Sequence, residues 1–309
     1  STALLKRYLN TANPPQWTLY TYDLSNYVSS GCVYIAFDAK SQHGNNINID
    51  RIRLRNLFDN DIAVTNIYSQ GETPAQYEVQ DVVKALVRNE GHLAQNNIKV
   101  YLNVTGAVEQ YHDSLTIASL APGAETVVTF PRHNYNVLEV KDVEVRSRND
   151  QLNANNACHW RMEVTNNIVN FADTSAVGQL TGDYNAVIRP CVRIKAVDEL
   201  VVTAVKYYYD QNFISNPENG MRAFVADANG NIIATSALVD FSTLQQGAWN
   251  IIPIENFALT NLHEMYVGIE MLANGDYLAS QVETPLRDST FYYLTNGTYV
   301  PQTFGRFMI

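Results

Sequence analysis

The sequence predicts an all-β chain of tandem β-sandwiches, and three observations predict it. Helical periodicity is almost absent from the 309 residues, with only Ala3–Leu9 spaced for a short helix. Short runs rich in Val, Ile, Tyr and Phe recur between clusters of Gly, Asn, Asp and Pro, the pattern of antiparallel strands and tight turns. Nineteen Tyr and eleven Phe supply the rings that suit pleated, half-buried surfaces.

Three segments follow in order: 1–57, 58–174 and 175–309. In the first, Val33, Ile35 and Phe37 share one face of a strand. Ile47 and Ile49 share a face, while Ile52 and Leu54 have the opposite parity, which predicts a bulge at Asp50–Arg51. Past the bulge, Arg51, Arg53 and Arg55 point to solvent and Asp50 points with Ile52 and Leu54 to the core side. A carboxylate there needs a backbone donor, an Arg or a cation.

The second segment opens on Asp61–Ile67. Strands follow at Val79–Val87, Ile98–Val104, within Leu120–Phe130, Val137–Val145 and Trp160–Val164, with a turn at Arg88-Asn89-Glu90-Gly91. About seven strands in about 115 residues match the size of an immunoglobulin-like sandwich. In the third segment, strands are expected at Cys191–Ile194, Leu200–Tyr209, Met221–Ala226, Ile232–Ser236, Gly247–Ile254, Met265–Met271, Tyr277–Gln281, Phe291–Leu294 and Phe304–Ile309. Asn219-Gly220, Asn229-Gly230, Asn274-Gly275 and Asn296-Gly297 are dipeptides suited to tight hairpins.

Charge and composition exclude several classes. The net charge is −10 and no Lys/Arg block is present, which argues against nucleic-acid or anionic-membrane partners. The acidity serves solubility, or in part the holding of cations. No apolar stretch approaches the roughly 20 residues of a membrane helix. The 309 residues carry no signal-peptide pattern and are expected to be a mature or excised portion from which an export signal was removed. Three cysteines, Cys32, Cys158 and Cys191, make no metal spacing, although Cys158 and Cys191 could pair across a domain junction.

Motifs for catalysis are missing: no nucleophile elbow, no zinc-protease helix, no phosphate loop, no dinucleotide fingerprint. His112-Asp113-Ser114 has the residue types of a triad, but neighbours on a strand face opposite ways. Asp59 and Asp61 flank the first junction with Asn60 between them, as a solvated linker or as carboxylates for a hard cation. No cofactor is required; a structural Ca²⁺ held by Asp50, Asp59 and Asp61 is the candidate. Tyr208 and Tyr292 lie in Tyr runs that alternate faces, and Trp249 sits in a polar-flanked strand. These rings form either a platform for sugar C–H faces or ordinary packing between sheets.

One resemblance covers nearly the whole chain. Trp17, Asp23-Leu-Ser25, Val33-Tyr-Ile-Ala-Phe37 and Ile49-Asp-Arg-Ile52 resemble the cleaved-adhesin or choice-of-anchor jelly roll. That domain occurs in the haemagglutinin–adhesin regions of gingipain-like proteins and in secreted Bacteroidetes proteins. Where the family reads Asp-Asp-Val, this chain has Asp50-Arg51-Ile52, so one acid of a calcium pair is gone. Asn89-Glu-Gly91, Ser119-Leu-Ala-Pro-Gly123 and Asn155-Asn156 are similar to the Ig-like modules that link such proteins. Asp227-Ala-Asn-Gly230, Tyr266-Val-Gly268 and Arg306-Phe-Met-Ile309 are similar to a β-sandwich frequent at their ends.

The resemblance implies a partial jelly roll over 1–57, an Ig-like sandwich over 58–174 and a C-terminal β-sandwich over 175–309. It implies export to a bacterial cell surface or beyond, by the type IX route. It also makes Ser114, within Asp113-Ser114-Leu115, an O-glycosylation acceptor. The expected function is non-catalytic: adhesion or the presentation of modules. The partners are then a glycan or protein at a cell surface and other domains or chains of one assembly. The alternatives are a carbohydrate-binding tail of a secreted protease or glycosidase, and a structural subunit of a surface assembly. Contacts between the tandem domains are expected to be modest and partly polar.

Overall fold

The computed structural model describes residues 58–75, 77, 79, 82–172, 179–181, 187–197, 199–209, 220–255, 263–271, 278–303 and 305–309. It also describes positions 20, 22, 24, 27, 33–37, 52 and 54. The chain divides into two compact units, Ser1–Asn56 and Leu57–Ile309.

In the first unit, Val33–Phe37 lies outside any strand, and Val33, Tyr34, Ile35 and Phe37 are all exposed. The buried face expected for this run is not formed, since without strand pairing neither parity is covered. Ile52 and Leu54, expected on the core side, are exposed as well. The segment Ala3–Leu9, Cys32, Asp50 and its bulge lie outside the described residues, as does most of the jelly roll implied over 1–57.

The second unit begins with eight strands: β1 (Ile62–Tyr68), β2 (Glu72–Pro74), β3 (Lys84–Asn89), β4 (Gln95–Thr105), β5 (Gln110–Leu120), β6 (Glu125–Thr129), β7 (Val140–Ser147) and β8 (Ala157–Thr165). β1-β3-β6 forms one sheet and β2-β8-β7-β4-β5 the other. That division, with the first, second and fifth long strands facing the rest, is the immunoglobulin arrangement. The sequence expectation of a strand from Val79 is shortened, because the ladder begins at Lys84 and Val79 makes only an isolated bridge to Ala196. β4 shows why the sandwich forms: Ile98, Val100, Leu102 and Val104 face inward and are essentially fully buried, while Lys99, Tyr101 and Asn103 alternate outward. Val143 and Val145 of β7 and Met162 and Val164 of β8 close the same core. Lys141 occupies an inward position of β7 and is tolerated there because Glu139 (2.6 Å) and Glu109 (3.0 Å) pair with it.

Twelve strands follow: β9 (Gln179–Thr181), β10 (Pro190–Lys195), β11 (Ala204–Tyr209), β12 (Gly220–Ala226), β13 (Ile232–Thr235), β14 (Val239–Asp240), β15 (Ala248–Pro253), β16 (Glu264–Met271), β17 (Leu278–Gln281), β18 (Phe291–Thr295), β19 (Thr298–Pro301) and β20 (Arg306–Phe307). One layer runs β13-β12-β16-β10-β18-β19, with β14 beside β12. The other joins β15-β11 to β20-β17-β9. The link is Met308, whose carbonyl accepts from Tyr208 N–H (3.2 Å) and whose N–H donates to the Ala279 carbonyl (3.1 Å).

The pairings identify the winding. β9 pairs with β17, β10 with β16, β11 with β15 and β12 with β13, all antiparallel. Counting these eight strands in chain order, first meets eighth, second seventh, third sixth and fourth fifth. A long hairpin rolled up this way into two layers is a jelly roll. The β18–β19 hairpin extends one layer, and the chain end at β20 fills a gap in the other. Between the layers lie Tyr207, Met221, Phe241, Ile252, Ile269 and Phe307, all nearly inaccessible.

The two sandwiches meet through polar contacts that include buried charge. Arg287 donates to both carboxylate oxygens of Glu283 (2.9 and 2.8 Å) and, from Nη1, to the Ser69 carbonyl at the end of β1 (2.8 Å). Arg306 reaches Glu283 at 3.3 Å and lies 4.3 Å over the Trp160 ring of β8. Tyr68 Oη donates to the Pro285 carbonyl (3.1 Å), and Lys206 of β11 pairs with Glu72 of β2 at 2.6 Å. Glu72, Glu283, Arg287 and Arg306 are all buried, so each depends on partners within the protein across or beside the junction. No helix among the described residues is long and apolar enough to cross a membrane.

Candidate functional site

Two of the three predicted aromatic residues come together. Tyr208 stands opposite Trp249 across β11–β15, with ring centroids 5.5 Å apart at 76°. Both rings are half-buried on the outward side of their layer, because Tyr207 and Tyr209 take the inward positions. The Lys206 ammonium lies 5.0 Å over the Trp249 ring, and Tyr208 Oη donates to the Gly247 carbonyl (3.1 Å). Tyr292 is not part of this pair. It belongs to β18 in the opposite layer, edge-on to Tyr266 (5.5 Å) and Tyr299 (6.0 Å). The three rings therefore do not make one platform, since the outer faces of the two layers look away from each other.

Ser114 sits half-exposed on β5, which pairs only with β4, so the hydroxyl belongs to a sheet edge. His112 bonds to Asn103 rather than to Ser114, and the adjacent His, Asp and Ser form no relay. Cys158 and Cys191 are both free, which answers the pairing considered from sequence. Burial pushes both thiols up, and they belong to separate cores. Asp227 accepts from the N–H groups of Asn229 and Asn231 (2.9 Å each) and from Asn231 Nδ2, so it closes the β12–β13 hairpin.

The metal candidates separate. Asp50 lies outside the described residues, and Asp59 is exposed. Asp61, entering β1, is fully buried. Its Oδ1 accepts from Asn155 Nδ2 (2.8 Å), while its Oδ2 has no hydrogen-bond donor. Asn155 Oδ1 and Asn156 Oδ1 are likewise buried and unpartnered. Unpartnered, acceptor-only oxygens are what a hard cation takes, so this donor set fits Ca²⁺ better than a transition metal. Among the described residues, no three His, Cys, Asp or Glu side chains gather, so an ion here would be held by amide and carbonyl oxygens around the one carboxylate.

A cleft of about 280 Å³ opens at the edge of the Ig-like sandwich, lined by Gln70, Tyr77, Tyr111, His133, Tyr135 and Asn136 among others. β1 places Gln70 just beyond its end, β5 carries Tyr111, and the β6–β7 connection supplies His133 and Tyr135. Tyr111 stacks on His133 at 3.9 Å, and Tyr135 meets His133 edge-on at 4.8 Å. Beneath them, Lys141 lies 5.4 Å from the Tyr135 ring. The Lys141 ammonium, with the N–H groups of Glu109 and Val108, holds the Glu139 carboxyl down at about 2. Burial pushes the Tyr135 phenol well above its ordinary range.

Gln70 is 5% exposed, and its Nε2 is buried without an acceptor; His133 Nε2 is also buried and unpartnered. None of the described lining residues is an Asp or Glu. No local pattern marks this cleft, because Gln70, Tyr111 and His133 are far apart in the chain and each reads as an ordinary loop or strand residue. Comparison with protein-family models, with curated proteins and with solved structures finds no match, so what this chain does must be argued from its own geometry.

Proposed function

We propose that the chain is a non-catalytic recognition protein of a cell surface or the extracellular space, acting in adhesion or module presentation and binding a glycan in the cleft of its Ig-like sandwich. One observation carries this reading: Gln70 and His133, each with a buried side-chain nitrogen that lacks a partner, are among the residues around a ring-walled cleft. A buried donor without an acceptor costs about 1–3 kcal/mol, which a bound hydroxyl or ring oxygen would recover. Aromatic walls suit the C–H faces of a pyranose, and the cavity is at the small end of ligand sites, fitting one or two sugar rings. The ion-paired junction supports the same reading, since it holds the cleft at a fixed place on a stiff pair of sandwiches.

A glycan array probed with the full chain tests it. Binding to a defined subset is expected, weakened roughly tenfold by Gln70→Ala and by Tyr111→Ala, the loss of about one good contact each. The absence of binding to any sugar at millimolar concentration would remove the reading.

A further inference from the structure

Glu72 of β2 is 4% exposed and serves two nitrogens at once. Lys206 Nζ lies 2.8 and 2.6 Å from its two oxygens. Asn170 Nδ2 donates to Oε2, the oxygen nearer Nζ, at 2.9 Å. Asn170 is 1% exposed, and its Oδ1 accepts the Ala172 N–H at 2.8 Å. Its backbone is fixed as well: the Asn170 carbonyl accepts from Gly71 N–H (2.7 Å) and Glu72 N–H (3.0 Å), and its N–H donates back to Glu72 (3.0 Å). An amine, a carboxamide, a carboxylate between them and an N–H on the carbonyl oxygen therefore stand together at the junction of the two sandwiches.

We propose that Lys206 and Asn170 react to form an isopeptide bond, with Glu72 carrying the proton. The proposal goes beyond the recognition reading and does not depend on it. Glu72 takes one proton from the Lys206 ammonium. The freed lone pair forms the Nζ–Cγ bond to Asn170 as the carbonyl π pair moves onto Oδ1, where the Ala172 N–H meets the developing charge. The carbonyl then reforms and the Cγ–Nδ2 bond breaks. The leaving nitrogen takes a second proton from Nζ and the proton held by Glu72, and departs as ammonium. The sum is ammonium plus primary amide giving secondary amide plus ammonium, with Glu72 returned to its starting form and no oxidant or co-reactant needed.

The surroundings favour this over hydrolysis. Burial of Glu72 and Asn170 keeps water from the amide carbon, and the Lys206 ammonium lies over the Trp249 ring. The two nitrogens share one carboxylate oxygen, which holds the amine and the carboxamide side by side. An ion pair alone would account for Lys206 and Glu72. It would not call for a carboxamide turned onto the same oxygen with its own carbonyl braced by a backbone donor.

Intact-mass spectrometry of the full chain, followed by peptide mapping, tests the proposal. The expected result is a mass lower than the sequence mass by one ammonia, with a branched peptide joining Lys206 to Asn170. Lys206→Arg and Glu72→Gln should each restore the full mass, and circular dichroism will show whether each variant keeps its β signature. A full-mass wild-type chain overturns the proposal whatever the variants do. So does an ammonia loss that maps to an Asn-Gly succinimide, such as one at Asn296, instead of to a branched peptide.

Discussion

Asp61 is a buried anion with one satisfied oxygen, and that imbalance makes a residue-scale prediction. An isolated carboxylate out of water is costly unless hydrogen bonds or a cation compensate it, and here Asn155 supplies only one donor. Calcium is therefore expected to raise the melting temperature and a chelator to lower it. At a hundredfold excess over Kd the gain is about 2.7 kcal/mol, a shift of roughly 5–10 °C for a chain of this size. Asp61→Asn should abolish the response. Calorimetric traces that superimpose with and without chelator would mean that the unpartnered oxygens are met by water instead. Asp61 was legible in the sequence because an Asp-Asn-Asp run at a strand entrance puts carboxylates where a loop can gather oxygens. Its pairing with Asn155 was not, since the two are brought together only when β1 packs beside the turn before β8. Gln70 shows the opposite limit: an amide in a loop reads as solvated until the β6–β7 connection closes over it.

At the scale of elements, alternation and turn chemistry carried most of the fold. β4 and β7 fall where period-two apolar runs place them, because each has one face on a core, while β10, β12 and β16 fall on denser apolar runs and are buried on both faces. Val33–Phe37 has the same pattern and makes no strand, since alternation describes a face and not its partner. The Asn-Gly dipeptides divide as well. Asn229-Gly230 and Asn296-Gly297 close hairpins between paired strands. Gly220 instead begins β12, while Asn219 and Asn274-Gly275 lie outside the described residues. The two true hairpins also differ. Gly297 has φ +75 with open space where a Cβ would point, while a Cβ on Gly230 (φ +83) would strike the Gly297 carbonyl. Gly297→Ala should therefore cost only the left-handed conformation, about 1–2 kcal/mol. Gly230→Ala should cost distinctly more, because the facing turn must also move. Urea denaturation of the two variants compares them; equal midpoints would show that the turns do not press on each other.

For the whole molecule, the question is what makes two separate cores one unit. The Ig-like core and the jelly-roll core share no side chains, and each could melt alone. What joins them is a short set of buried ions whose partners come from both sides: Arg287 with Glu283 and the Ser69 carbonyl, Arg306 with Glu283 against Trp160, and Lys206 with Glu72. None of this could be read from the sequence, where these residues look like solvated charges on neighbouring domains. A buried pair adds little net stability when it forms but exacts a large cost when one partner is removed, so it acts as a lock more than as glue. Arg287→Ala leaves the Glu283 carboxylate with Arg306 and the backbone N–H of position 287, and opens the Ser69 carbonyl, at a cost of about 3–5 kcal/mol. The loss falls on the junction, not on either core. The wild-type chain should therefore melt in one cooperative calorimetric transition over this unit, and the variant in two. A variant that still melts in one transition, lowered by no more than a surface substitution would cause, would place the coupling in the apolar contacts around Phe171 and Ala172 instead of in the ions.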